Sequence, residues 1–197
     1  MPLSLPYRQV LSRLGFKEQT IVPARQMELL KHTMQRAFAV ISAKGTCAYQ
    51  KITSNNGQSV ILADSSRIDC PAVARMLKNS QEAWLAAVTV GQEISDLTTT
   101  CFAEGDAAAA AVCDAVGSEC ADAAMDFLQK YAATQLKRNG RSISDCRFSP
   151  GYGEWALDAQ KDFFKWLDLQ KLGMSLSSGM ALIPEKSVTA LAAVRIG

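Results

Sequence analysis

Residues 106–138, DAAAAAVCDAVGSECADAAMDFLQKYAATQLKR, carry the strongest structural signal in the chain. Asp106 is a suitable N-cap residue, because its side-chain oxygen can accept a hydrogen bond from a main-chain N–H of the first turn. Alanine fills positions 107–111 and has the highest helix propensity, and Asn139-Gly140 then ends the segment. These features predict one helix of about 45–50 Å, which is long enough to cross a whole domain.

One face of this helix is expected to be apolar. Its members recur at spacings of three and four residues and are Val112, Val116, Cys120, Ala123, Phe127 and Tyr131. Gly117 interrupts the helix at a cost of about 1 kcal/mol relative to alanine, so this is the position where the helix can bend.

Shorter elements are expected on both sides of the long helix. The predicted helices cover residues 6–14, 23–43, 71–77, 92–100 and 158–171, and Gly15, Gly45 and Gly173 end three of them. The predicted strands cover residues 47–53, 59–63, 83–90, 174–183 (broken by Gly179) and 188–196. Asn55-Asn56-Gly57 favours a hairpin turn between the first two strands, since its residues adopt positive φ easily.

This mixture of elements indicates an α+β fold, with an antiparallel or mixed twisted sheet, one long helix and several shorter helices. The 197 residues, 48% of them hydrophobic, are enough for one domain with its own core. We therefore expect a single domain over residues 1–197, in which residues 1–45 form an N-terminal helical part.

Composition and charge argue against several classes of protein. The 21 basic and 19 acidic residues nearly balance, which does not favour an extended nucleic-acid surface. No apolar run approaches the roughly 18 to 20 residues of a membrane span, so we expect no membrane segment. The N-terminal MPLSLPYRQV is not typical of a signal peptide. A cytoplasmic location is therefore expected.

Cysteine and histidine usage predicts neither a metal site nor a catalytic residue. The six cysteines form no Cys-x-x-Cys pair, and the one histidine, His32, has no cysteine within ten residues. We interpret the cysteines as reduced thiols that behave as small hydrophobic side chains. His32 is the only histidine available as a base and is interpreted as a surface residue. The sequence also lacks the glycine-rich loops of the common nucleotide-binding folds.

The segment RFSPGYG, residues 147–153, carries the functional information. Pro150-Gly151 fits the centre of a type II turn, in which glycine supplies the positive φ. The guanidinium of Arg147 can bind a carboxylate through two hydrogen bonds, and the face of Tyr152 can attract a sulfonium or ammonium. Together they favour a small zwitterionic ligand. The alternative is a tight connection in which Arg147 binds a surface carboxylate.

The pattern Arg147-x-x-x-Gly151-Tyr152 is similar to the S-adenosylmethionine-binding motif in the activation (reactivation) domain of cobalamin-dependent methionine synthase. The resemblance continues from residue 147 to residue 194, through the following helix and the closing strands. Upstream, YRQVLSRLGF at residues 7–16 and AAVTVGQEISDL at residues 86–97 look like the short, stand-alone members of this family. The resemblance therefore covers most of the chain.

What the resemblance implies is S-adenosylmethionine as cofactor, with cobalamin carried by the partner protein. Arg147 would hold the ligand carboxylate, and residues 150–153 (Pro150, Gly151, Tyr152 and Gly153) would form the wall around it. An acidic residue on the long helix would face the ligand ammonium, a position that falls on Asp122. Asp126 is the substitute candidate, and a solvated aspartate is the alternative for Asp122.

Two functions follow from the resemblance. The first is an S-adenosylmethionine-binding module that supports reductive methylation, or reactivation, of the cobalamin of a separate methionine synthase, with an electron from a flavodoxin-type donor. The second is a non-catalytic interaction subunit of a corrinoid methyltransferase that no longer binds the ligand. The larger family members continue past the last strand into a segment with adenine-side contacts, whereas this sequence ends at Gly197.

Overall fold

A six-stranded antiparallel sheet, crossed on one face by a long helix, forms the framework of the protein. The computed structural model describes residues 1–196. The strands are β1 (Lys44–Asn55), β2 (Val60–Leu62), β3 (Arg67–Ile68), β4 (Glu82–Thr89), β5 (Arg141–Phe148), β6 (Ser175–Leu176), β7 (Leu182–Ile183) and β8 (Ser187–Ile196). In the six-stranded sheet they lie in the order β3-β2-β1-β4-β8-β5, and β6 and β7 pair in a separate small sheet. The predicted α+β class is confirmed, and the sheet is antiparallel throughout.

The helices include the long one that the sequence predicts. Their bounds are α1 (Tyr7–Arg13), α2 (Ala24–Ala39), α3 (Pro71–Met76), α4 (Glu93–Ala103), α5 (Ala107–Lys137) and α6 (Gln160–Trp166). Asp106 caps α5, since its carboxylate accepts a hydrogen bond of 2.9 Å from the main-chain N–H of Ala109.

Two hydrophobic layers cover the two faces of the sheet. Because side chains alternate along a strand, Leu191 and Ala193 of β8 pack into the layer that contains α3 and α6. Ala190 and Ala192 face the opposite layer, where α5 lies across the sheet. Farther along α5, helices α1, α2 and α4 pack around its N-terminal half.

The prediction of one continuous apolar face on α5 is confirmed only for the N-terminal half of the helix. Val112, Val116 and Cys120 are buried, because α2 and α4 cover that side of the helix. Phe127 and Tyr131 lie on the same side farther along, beyond the part of α5 that α2 and α4 cover, and are 36% and 56% exposed. In this half the sheet instead buries a different set, which includes Ala124, Met125, Leu128, Ala132 and Leu136.

Three other expectations require correction. The helix predicted over residues 23–43 ends at Ala39, and Gly45 lies within β1, paired with Val88 of β4. The helix predicted over residues 158–171 is broken, because Leu167 is extended (φ −130°, ψ 141°) between α6 and the 3-10 turn Leu169–Leu172. The segment around residues 141–148, which no strand was predicted to cover, is the edge strand β5.

Candidate functional site

A groove of about 410 Å³ lies where β5 ends, at the edge of the sheet. Strand β5 stops at Phe148, opposite Leu191, so residues 187–190 of β8 have no β5 partner. The groove occupies this gap. Its lining residues come from α5, the end of β5 and the following loop, α6, β7 and β8: Asp122, Arg147, Phe148, Ser149, Pro150, Tyr152, Gln160, Leu182, Ser187, Val188 and Thr189.

Four of the six residues predicted to bind the ligand line this groove together: Arg147, Pro150, Tyr152 and Asp122. The other two, Gly151 and Gly153, are not part of its lining. Both adopt positive φ, +90° and +54°, and so shape the loop. Ligand contact by all six residues stays a prediction.

The loop after β5 is held by a turn and an aromatic anchor. The main-chain N–H of Tyr152 donates to the carbonyl of Ser149 at 3.3 Å, which closes the turn around Pro150-Gly151. The N–H of Gly151 donates to the carbonyl of Trp155 at 2.8 Å. A Cβ at Gly151 would lie 3.1 Å from Cδ1 of Leu157, so close packing adds to the positive φ in favouring glycine here. Trp155 is buried and stacks on Phe148, with ring centroids 6.1 Å apart. Tyr152, in contrast to Trp155, lies on the surface and is 71% exposed.

Arg147 is bound to α5 through one of its terminal nitrogens. Its Nη1 donates to Asp126 Oδ1 at 2.7 Å and to Gln129 Oε1 at 2.6 Å. Within residues 1–196 its other guanidinium nitrogens have no hydrogen-bond partner. A guanidinium carries five N–H donors, so Arg147 retains donors for a carboxylate.

Asp122 lies on the same wall of the groove without a hydrogen bond to Arg147. Its carboxylate is 3.5 Å from Nη2 of Arg13. Burial raises the pKa of Asp122, and the neighbouring carboxylate of Glu119 raises it further. Both effects disfavour the ionised form, and a cation bound in the groove would favour it. Asp122 therefore suits an ammonium group.

Comparison with known proteins gives a match at the level of structure. No protein-family model matches the sequence, and no curated protein matches it. The fold is similar to a crystal structure described as the MetH reactivation domain bound to AdoHcy, with a TM-score of 0.67 and 15% sequence identity. The similarity covers 96% of this chain and 72% of that one. The chain shares the fold of the MetH reactivation domain.

Three polar residues that line the groove or hold its arginine were not identified from the sequence: Gln160 and Thr189 in the lining, and Gln129 against Arg147. Gln129 is buried, and its Nε2 donates to the Ser144 carbonyl at 2.6 Å while its Oε1 accepts from Arg147. The hydroxyl of Thr189 donates to Oε1 of Gln160 at 2.7 Å. Arg147 and Gln129 are 18 positions apart in the sequence, and Thr189 and Gln160 are 29 apart. A local motif therefore could not reveal either pair.

The other features of residues 1–196 that bear on function concern metal ions, membranes and thiols. Among the described residues, no group of three or more His, Cys, Asp or Glu side chains is placed to hold a metal ion. No helix in residues 1–196 has both the length and the apolar character needed to cross a membrane. The six cysteines are free thiols.

Proposed function

We propose that the protein binds S-adenosylmethionine in this groove and supports the reductive methylation of cobalamin on a separate methionine synthase. The observation that carries the proposal is the convergence of Arg147, Asp122 and Tyr152 on one groove. The fold adds support, since it is similar to a reactivation domain that was crystallised with AdoHcy.

The charges and shapes in the groove suit this ligand. The unpaired donors of Arg147 would take the carboxylate of the amino-acid end, and Asp122 would take its ammonium. Asp126, the substitute candidate, lies outside the groove lining and is bound to Arg147. The exposed ring of Tyr152 would attract the sulfonium by about 0.5–2 kcal/mol. When bound, S-adenosylmethionine supplies a methyl group already activated on sulfur. Cobalamin belongs to the partner protein.

The residues of this chain would bind and orient the ligand without acting as acid or base. Methyl transfer needs the methyl group in line with its acceptor, so the groove must be open to a large planar partner. The exposed position of Tyr152, on the rim of the groove, is compatible with such an approach. We further propose a cytoplasmic protein that cooperates with a corrinoid-binding methionine synthase and a flavodoxin-type electron donor.

Calorimetry with S-adenosylmethionine tests the proposal. Arg147→Ala is expected to weaken binding by about 2–5 kcal/mol, the range for removing one side of a charge pair. The matched control is Arg138→Ala, because Arg138 is an exposed arginine at the C-cap of α5, outside the groove. Equal affinities for the two variants would contradict the role of Arg147, and no binding by the unaltered protein would contradict the proposed function.

A second candidate function is an interaction subunit of a corrinoid methyltransferase that no longer binds the ligand. The observation in its favour is that Arg147 already has two partners, Asp126 and Gln129. Capture of a corrinoid methionine synthase, combined with no calorimetric signal from S-adenosylmethionine, would favour this candidate.

A further inference from the structure

A buried polar pair in the groove takes no part in the ligand contacts assigned so far. Gln160 is 5% exposed and Thr189 is 1% exposed, yet both line the groove. In residues 1–196 the carboxamide nitrogen of Gln160 has no hydrogen-bond partner. It is also not among the fully enclosed unpaired atoms of that part of the chain, which are Ser80 Oγ, Trp84 Nε1 and Ser95 Oγ. The nitrogen therefore opens onto the groove.

Thr189 holds the oxygen end of the Gln160 carboxamide. The threonine hydroxyl donates to the carboxamide oxygen, so that oxygen is occupied and the NH₂ group remains as a donor. Because this NH₂ group opens onto the groove, a ligand acceptor can reach it. The pair is thus suited to a ligand atom that accepts hydrogen bonds.

The NH₂ group of Gln160 and the guanidinium of Arg147 lie beside different parts of β8. Arg147 pairs with Ala192, three residues from Thr189, and three residues of strand span about 10 Å. Ala192 packs in the layer of α5, whereas Leu191, and therefore Thr189 two positions away, faces the layer of α6. A ligand held at one end by Arg147 would reach Gln160 with its other end, around the free edge of the sheet.

The main chain of β8 adds polar groups at the same place. The N–H of Ala193 donates to Ser144 Oγ of β5 at 3.3 Å, so it points towards the β5 side. Main-chain groups two and four positions away, at Leu191 and Thr189, point to that side as well. Strand β5 ends before Thr189, which leaves its main-chain N–H and C=O facing the groove.

We propose that Gln160, oriented by Thr189, is a specificity-determining residue that donates a hydrogen bond to the nucleoside end of an S-adenosyl ligand. This inference rests on the proposed function. The ring nitrogens of a purine and the hydroxyl oxygens of a ribose are acceptors of the required kind. The groove then has two ends of different chemistry: a charged end at Arg147 for the amino acid, and a neutral donor end at Gln160 for the nucleoside.

Calorimetry with two probes tests this assignment. AdoHcy carries both ends of the ligand, whereas methylthioadenosine carries only the nucleoside end. Gln160→Leu is expected to weaken the binding of both probes by about three- to tenfold, the effect of losing one neutral hydrogen bond. Arg147→Ala is expected to weaken AdoHcy far more than methylthioadenosine. Gln170→Leu is the matched control, because Gln170 is exposed outside the groove.

The outcomes separate this inference from the proposed function. If the unaltered protein binds AdoHcy and Gln160→Leu binds it as tightly as the Gln170→Leu control does, the inference is overturned and the proposed function stands. If the unaltered protein binds neither probe, both are overturned. Should Gln160→Leu fail to fold, the nearly isosteric Gln160→Glu replaces the donor with an acceptor. Unchanged binding in that variant would equally overturn the inference.

Discussion

At the scale of single residues, Asp122 combines a cost to stability with a predicted role in binding. Burial raises its pKa above the ordinary value of 3.8, so the folded state binds a proton more readily than the unfolded chain. The free energy of unfolding therefore falls as the pH rises through the interval between the two values, and the penalty persists at higher pH. A ligand ammonium beside the carboxylate would offset it.

Asp122→Asn is therefore expected to raise the stability of the ligand-free protein at neutral pH. The advantage should shrink as the pH falls and vanish below about 3.8, where Asp122 is protonated in both states. Thermal unfolding across a pH series measures the difference, with the exposed Asp158→Asn as control. The same variant is expected to bind S-adenosylmethionine more weakly. A variant less stable than the unaltered protein at neutral pH would contradict this account.

At the scale of elements, the contact between α5 and β5 depends on Gln129. Its carboxamide donates to the carbonyl of Ser144 and accepts from Arg147, so one buried side chain holds both the irregular part of β5 and the guanidinium. In the proposed function it would act as a positioning residue, because it would affect the ligand only through Arg147.

Gln129→Leu is expected to lower the free energy of unfolding by about 1–3 kcal/mol, because the Ser144 carbonyl loses a buried donor. It should also weaken S-adenosylmethionine binding, since Arg147 is then held by Asp126 alone. Urea unfolding and calorimetry measure the two effects. Gln135→Leu, on the same helix and half-buried, is the control. Lost stability with unchanged ligand affinity would show that Gln129 only supports the fold.

Gly117 illustrates why helix propensity alone misleads within α5. The helix runs through this position without interruption. A Cβ there would lie 3.0 Å from Cγ of Lys186 and 3.1 Å from Cγ1 of Ile94. Lys186 is buried, and Asp114 and Ser118 hold its ammonium, so its side chain has little freedom to move. The glycine therefore permits close packing.

We expect Gly117→Ala to destabilise the protein, although the same change stabilises an exposed helix. The gain in propensity is about 1 kcal/mol, whereas overpacking costs about 1–3 kcal/mol. Chemical denaturation measures the sign of the change in the free energy of unfolding. The double variant Gly117→Ala/Lys186→Ala should lose less stability than the sum of the two single variants, because the new methyl group no longer meets the lysine side chain. If Gly117→Ala alone were more stable than the unaltered protein, the side chain of Lys186 would have to move aside at little cost, and this account would be contradicted.

The sequence predicts elements well where local pattern decides them. The alanine run and Asp106 specify α5, and the apolar residues of β4 and β8 specify two central strands. Strand β5 has no continuous apolar or alternating pattern, and its pairing with β8 shifts between Ile143 and Arg147, which interrupts the alternation of its side chains. The site divides in the same way: the motif at residues 147–153 is local, whereas the contacts of Gln129 and Gln160 are made by tertiary packing.

At the scale of the whole molecule, two buried layers enclose most of the thiols. Cys146 is exposed and Cys47 half-buried, and the other four cysteines are buried. Burial raises the pKa of Cys47 and Cys113, and that of Cys120 to about 12. The thiolate is the reactive form, so these groups react slowly in the folded protein.

Brief alkylation at neutral pH is therefore expected to label Cys146 first and Cys47 more slowly. The buried thiols at 70, 101, 113 and 120 should react only when the protein unfolds. Mass spectrometry of peptides, with and without denaturant, measures the order of labelling. Early labelling of Cys113 or Cys120 in the folded protein would contradict the burial of these side chains between α5 and its neighbours.

The register of β5 shifts between Ile143 and Arg147, so the side of the sheet on which Arg147 lies depends on the number of residues in this interval. Ile143 faces Val194 and Arg147 faces Ala192, so four steps along one strand match two along the other. A deletion here that shifted the following register by one residue would turn Arg147 to the opposite side of the sheet, towards Trp155. The groove would then lose its positive charge although no lining residue had been substituted. Such a change in register is therefore expected to weaken the proposed ligand binding as much as a substitution of Arg147 itself.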